Sequence, residues 1–125
     1  MLADRPINAI LPAADLARAK RFYNEKLGLT PESEDPGGIS YRCGEGTRFT
    51  VIPSSGTASG THTQMGWTVD DIEAEVADLK ARGVVFEEYD TPELKTVNSV
   101  ATAGPAKGAW FKDSEGNLLG LVQFL

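Results

Sequence analysis

Ala109-Trp110-Phe111-Lys112-Asp113-Ser114-Glu115-Gly116-Asn117-Leu118-Leu119-Gly120-Leu121-Val122-Gln123-Phe124 is the stretch that decides the fold. Two apolar runs flank five turn-forming residues, the pattern of a β-hairpin, and Gly116 supplies the positive φ that such a loop needs. The return run, Leu118 to Phe124, is apolar at nearly every position, so both of its faces should be covered. Gly120 interrupts it. A glycine in mid-strand packs nothing itself and marks close approach by another group.

The hairpin has an earlier counterpart. An offset of 70 places Glu45-Gly46 on Glu115-Gly116, Thr50 on Gly120 and Val51 on Leu121. Nearer the N-terminus an offset of 56 places Asn8 on Gln64, Asp15 on Asp71 and Leu16 on Ile72. These offsets describe an internal repeat, with a longer loop in the second copy. Residues 7–53 read as a first module, 54–63 as a Ser/Thr/Gly-rich linker, and 64–125 as a second module of one domain. In the first, Ile7 to Leu11 reads as a strand ended by Pro12. Asp15 caps a helix carrying Leu16, Ala19, Phe22, Tyr23 and Leu27, and three strands follow at Glu32–Asp35, Ile39–Cys43 and Arg48–Ile52. In the second, Gln64–Val69 is a strand and Asp70 or Asp71 caps a helix with Ile72, Val76 and Leu79 inward. Val84–Tyr89 is a strand, and Thr91 to Lys107 reads as a long irregular loop before the hairpin.

The fold class is therefore α+β, with two tandem βαβββ modules and one helix per four-stranded sheet. One helix covers one sheet face, so the other must meet a partner sheet or a ligand. Strand alternation assigns the larger apolar set to the helices. The remaining set, Asn8, Thr50, Gln64 and Gly120 with Ile10, Ile52, Leu118 and Val122, would line a cup between the modules. Ser40, Arg42 and Trp110 share that face. An apolar concavity with a few polar groups suits a small molecule.

Bulk properties exclude other classes. The chain has 125 residues, 41% hydrophobic, enough for one packed domain. A net charge of −6, without a dense Lys/Arg cluster, excludes the basic face that nucleic acid or an anionic membrane requires. No apolar run is long enough to span a bilayer, and Met1 to Pro6 does not read as a signal peptide. The single Cys43 permits no internal disulfide, which fits a cytoplasmic location.

Three sets of residues carry a family resemblance: Leu11-Pro12-Ala13-Ala14-Asp15-Leu16 with Phe22-Tyr23 and Leu27-Gly28; Trp67-Thr68-Val69-Asp70-Asp71-Ile72; and Phe111 through Asn117. In this order and repeat register the chain resembles the vicinal oxygen chelate superfamily of glyoxalases, extradiol dioxygenases and bleomycin-resistance proteins. The resemblance implies paired βαβββ modules forming a cup-shaped mixed sheet, commonly in a homodimer, and in the enzymes a divalent metal held by His, Gln or Glu. Here those ligand positions fall on Asn8, Thr50, Gln64 and Gly120, and the extradiol catalytic tyrosine position falls on Trp110. Two amides, a hydroxyl and a glycine do not supply the three His or carboxylate donors that a catalytic metal wants.

The other candidates have simpler uses. His62, the one histidine, has a pKa suited to proton transfer but lies in the linker. Cys43 reads as a small strand residue, and Asp70, Asp71, Glu73 and Glu75 as helix-start carboxylates. The expectation is a homodimeric, metal-independent protein without a cofactor that binds a partly apolar small molecule through Asn8, Ser40, Arg42, Thr50, Gln64, Trp110 and Gly120. No residue is assigned a catalytic role. Two alternatives stay open. One is a lyase, isomerase or dioxygenase with atypical ligands. The other is a module whose cup is filled by its own side chains and which acts through its dimer partner.

Overall fold

A computed structural model describes all residues, Met1–Leu125. The first module contains β1 (Ala9–Ala13), α1 (Leu16–Glu25), β2 (Ser33–Asp35), β3 (Gly38–Arg42) and β4 (Arg48–Pro53). The second contains β5 (Thr63–Thr68), α2 (Ile72–Ala81), β6 (Ala101–Ala103), β7 (Ala106–Lys112) and β8 (Leu118–Phe124). Each module forms its own four-stranded mixed sheet, in the orders β1-β4-β3-β2 and β5-β8-β7-β6. In both, the first strand runs parallel to the last and the others are antiparallel.

Both helices start on the aspartates that the sequence nominates. Asp15 accepts from the Arg18 amide at 3.0 Å, and Asp71, not Asp70, accepts from the Ala74 amide at 3.1 Å. Gly28 and Gly83, at φ 69° and 94°, follow the helix ends in the left-handed conformation that glycine adopts without strain.

Three expectations are corrected. Pro12 does not end the first strand, since β1 continues to Ala13. β1 is an edge strand bonded only to β4, so a missing N–H disrupts no ladder. Ile7 and Asn8 lie before β1. Second, Val84 to Tyr89 is not a full strand. It meets β7 only at Phe86, opposite Phe111, and through the Glu87 amide to the Trp110 carbonyl at 2.8 Å. Third, the stretch 91–107 is not a plain loop, because β6 and the start of β7 lie inside it. The edge beside β7 is thus split: Phe86 and Glu87 flank one end, β6 flanks the other, and residues 88–100 make an excursion between them.

That excursion is ordered. Val97 and Val100 exchange both backbone hydrogen bonds across Asn98 and Ser99, whose φ values are 51° and 72°. This is a two-residue hairpin turn of the type that requires both central residues left-handed. The Glu88 carboxylate accepts from the Ser99 amide and from the Ser99 and Thr96 hydroxyls, which hold its pKa below the usual carboxylate range.

The helix-side faces of both sheets belong to one continuous core. α1 contributes Ala19 and Tyr23, and α2 contributes Ile72, Val76 and Leu79, whereas Leu16 and Phe22 are only partly buried. Tyr41 stacks on Phe49 at 4.9 Å, Phe49 meets Trp67 edge-on at 6.1 Å, and Trp67 stacks on Phe111 at 6.4 Å. This chain of rings joins the modules. Burial of each large apolar side chain is worth about 1.5–3 kcal/mol.

The β7–β8 turn forms a second joint. Asp113 Oδ1 accepts from the Glu115 and Asn117 amides, which shapes the turn. Its Oδ2 accepts from the Tyr23 hydroxyl at 2.8 Å, and the Asn117 side-chain amide donates to the Pro12 carbonyl at 2.9 Å. Glu115 accepts from the Asp15 amide at 2.9 Å and from Arg18 Nε and Nη2 at 2.8 and 3.0 Å. The Arg18 guanidinium first, with the Asp15 amide and the Ser114 hydroxyl, holds the Glu115 pKa down at about 2.

Candidate site on the second sheet

Strand register shows where the cup-face residues lie. Ile10, Thr50 and Ser40 form one row across β1, β4 and β3. Gly66, Gly120 and Trp110 form the equivalent row across β5, β8 and β7. Both repeat offsets therefore hold residue by residue at this row.

The chemistry of the two rows differs. In the first module the Ser40 and Thr50 hydroxyls share a hydrogen bond at 3.1 Å, and Ile10 is 61% exposed. In the second, the Trp110 indole lies against backbone. A Cβ at Gly120 would stand 3.4 Å from Trp110 Cδ1 and Nε1, and one at Gly108 would stand 2.9 Å from Cη2. The indole thus spans from Gly120 to Gly108 along the sheet, close enough that a methyl group at Gly108 would displace it. Tyr89, from the excursion, meets it edge-on at 5.6 Å and 83°. Burial, and then Glu87, raise the Tyr89 pKa, so the phenol stays neutral.

A cavity of about 250 Å³ opens beside this ring, lined by Thr63, Gly66, Leu94, Gly108, Trp110 and Gly120 among others. Its walls are mainly apolar, and Lys107 is its one ionisable residue. The arrangement can stack a ring, exclude water from it and offer a hydroxyl. It has no acid–base pair.

The remaining expected residues are dispersed. Asn8 is exposed ahead of β1. Arg42 is exposed at the end of β3, opposite Arg48. Gln64 falls at a register shift, because Thr63 pairs with Leu118 and Met65 with Leu119. One extra residue in β5 carries Thr63, rather than Gln64, to Gly120: the Thr63 methyl lies 3.3 Å from where a Gly120 Cβ would be. Gln64 Oε1 is buried without a hydrogen-bond partner. None of Asn8, Ser40, Arg42, Thr50 or Gln64 lines a principal cavity. The structure joins Ser40 to Thr50 and Trp110 to Gly120, but it does not bring the two groups into one concavity.

The metal that the resemblance implies does not fit. Asn8 lies outside β1, the Thr50 hydroxyl is engaged with Ser40, and an indole covers Gly120. Nowhere do three His, Cys, Asp or Glu side chains come together to hold an ion. His62 lies in the linker with its Nδ1 2.7 Å from the Ser59 hydroxyl. Gly66, Gly108, Thr63, Tyr89 and Leu94 are site residues that the sequence reading passed over. The mid-strand glycines carry the same signal as Gly120, but Tyr89 and Leu94 carry none.

The architecture matches known proteins. The antibiotic-binding protein TnmS3 from Streptomyces sp. CB03234 superposes with a TM-score of 0.70 at 24% identity, covering 100% of this chain and 99% of that one. UcmS2 gives 0.74 at 18% identity, covering 94% and 96%. A glyoxalase/bleomycin resistance protein/dioxygenase from Nocardioides gives 0.70 at 22% identity, covering 98% and 85%. At these identities the likeness is one of fold. No curated protein matches the chain by sequence. The family model of the Glyoxalase/Bleomycin resistance protein/Dioxygenase superfamily matches residues 6–121, and the chain belongs to that superfamily.

Proposed function

We propose that the protein binds a flat, largely apolar small molecule against Trp110 on the second sheet, without a metal, as a sequestering or resistance protein does. The observation that carries this reading is the indole laid over Gly108 and Gly120, beside an apolar cavity with no acid–base pair. An indole already resting on backbone, with Tyr89 edge-on to it, loses little freedom when a planar ligand stacks on its remaining surface. The antibiotic-binding description of TnmS3, a structural neighbour over its full length, points the same way. The cavity of about 250 Å³ is below the usual range for ligand pockets, so a second wall is needed. A second copy of the chain supplies one in this reading, with the open Ile10–Thr50–Ser40 face as the covering surface.

Acridine serves as the probe. Saturable quenching of tryptophan emission is expected in the wild-type protein. Trp110→Ala should weaken binding at least about tenfold, because a stacked aromatic contact is worth roughly 1–3 kcal/mol, while circular dichroism stays unchanged. Equal binding by Trp110→Ala, or stoichiometric tight binding of zinc, nickel, manganese or iron, overturns the reading. The packing of Tyr89 and Leu94 around the indole favours a second reading, a cup filled by its own side chains. Failure of acridine to bind the wild-type protein would select it.

A further inference from the structure

The largest cavity, about 660 Å³, lies away from the cup, between α2 and the 88–100 excursion. Glu73, Val76, Ala77 and Lys80 form its helix wall, at the spacing that places side chains on one helix face. Lys95, Val97, Asn98 and Val100 form the opposite wall, with Thr102 of β6 and Lys107 of β7 at the end.

The local charge is opposite to that of the molecule. The chain carries −6, yet this cavity is lined by three lysines and one carboxylate. Lys107 is paired with Glu73 at 2.7 Å, whereas Lys80 and Lys95 have no carboxylate within ion-pair distance. Glu88 acts on Lys80 only through space, since its own oxygens are held by Ser99 and Thr96. The rest of the lining is Asn98 and Thr102 with the apolar Val76, Ala77, Val97 and Val100.

The outer wall is built to hold its shape. Ser99 is fully buried and left-handed, a conformation that disfavours a side chain, yet it is not glycine. Its hydroxyl and amide are what bind Glu88 and tie the turn to the start of the excursion. A preorganised wall lowers the cost of binding.

We propose that this groove is a second binding site, separate from the cup, for a small amphiphilic anion with one carboxylate and a short aliphatic chain. Lys80 and Lys95 take the carboxylate, and Val76, Val97 and Val100 take the chain. Two ammonium groups are point charges that attract any small anion, so Val76, Val97 and Val100 are what select an anion with an aliphatic chain over phosphate.

Sodium octanoate titrated into the full chain at low salt tests this, read by amide chemical shifts. The expected result is saturable binding with shifts at Ala77, Val97 and Val100. The double variant K80A/K95A should weaken binding at least tenfold with the spectrum otherwise folded. Lys107 is kept because it lines both cavities. Octanol, lacking charge, and inorganic phosphate, lacking a chain, should each bind at least tenfold more weakly. The proposal is overturned by no saturation at millimolar octanoate, by shifts confined to Gly66, Trp110 and Gly120, by unchanged affinity in the double variant, or by phosphate or octanol matching octanoate. Acridine binding at Trp110 is measured separately, so failure of one site leaves the other unaffected.

Discussion

Gly66, Gly108 and Gly120 lie on one face of one sheet, but a methyl group would meet a different neighbour at each. At Gly120 it would make tight but ordinary contact with Thr63 and Trp110, and at Gly108 it would strike the far end of a movable indole. At Gly66 it would sit 2.8 Å from the Gly120 carbonyl oxygen, which is backbone and cannot turn aside. Gly66→Ala is therefore expected to destabilise the fold by about 1–3 kcal/mol, as overpacking does. Gly108→Ala should instead tilt Trp110 at a smaller cost in stability. Urea midpoints at unchanged slope check the first, and a shift in tryptophan emission checks the second. The glycine at position 120 is visible in the sequence as an anomaly. That an indole fills the space is not, because the contact crosses strands and depends on register.

The 88–100 excursion shows what one element can hide. Its residues have no helical or strand period because their order comes from isolated backbone bridges and from side-chain hydrogen bonds, not from a continuous ladder. Glu88 is central, with three donors from Ser99 and Thr96. Glu88→Ala is expected to speed hydrogen exchange at the Val97 and Val100 amides severalfold and to leave the β7 and β8 amides protected. Uniform loss of protection across the sheet would show that the excursion is part of the global folding unit. Val84 and Phe86 are both buried, so the alternation that suggests a strand at Val84–Tyr89 is real. It reports packing, while the hydrogen bonds to β7 end after Glu87. Periodicity reads burial, and burial does not require a strand.

At the scale of the whole molecule the modules are joined by a ring stack and by the β7–β8 turn. The Glu115 carboxylate has a pKa near 2 in the folded protein, below its ordinary value of about 4.3. Its contribution is fully present above the ordinary pKa and is lost as pH falls from about 4.3 toward 2. Glu115→Gln should cost about 1–2 kcal/mol at pH 7, a modest figure because Arg18 is half exposed and solvent screens the pair. The difference from wild type should shrink across that acid window, and thermal unfolding at pH 7, 4 and 2.5 measures it. A gap that stays constant with pH would mean that Glu115 acts only by packing. The open face around Ile10 belongs to the same scale. If a second copy covers it, Ile10→Glu should move the sedimentation coefficient from dimer to monomer, whereas a wild-type monomer at high concentration rejects the dimer.

The sequence by itself determined the repeat, the two capped helices and the hairpin. All of these depend on residue type and short spacing, which local stereochemistry makes legible. Only the tertiary structure decided which residues share a surface. Ser40 and Thr50 lie on the first sheet and Trp110 and Gly120 on the second, and none of the principal cavities is lined by both pairs, although alternation assigns all four to one cup. One extra residue in β5 exchanges Gln64 for Thr63 beside Gly120. Such outcomes turn on register and on long-range packing. A shift of a single residue there reverses which side chains face the site, and no spacing within the chain records it.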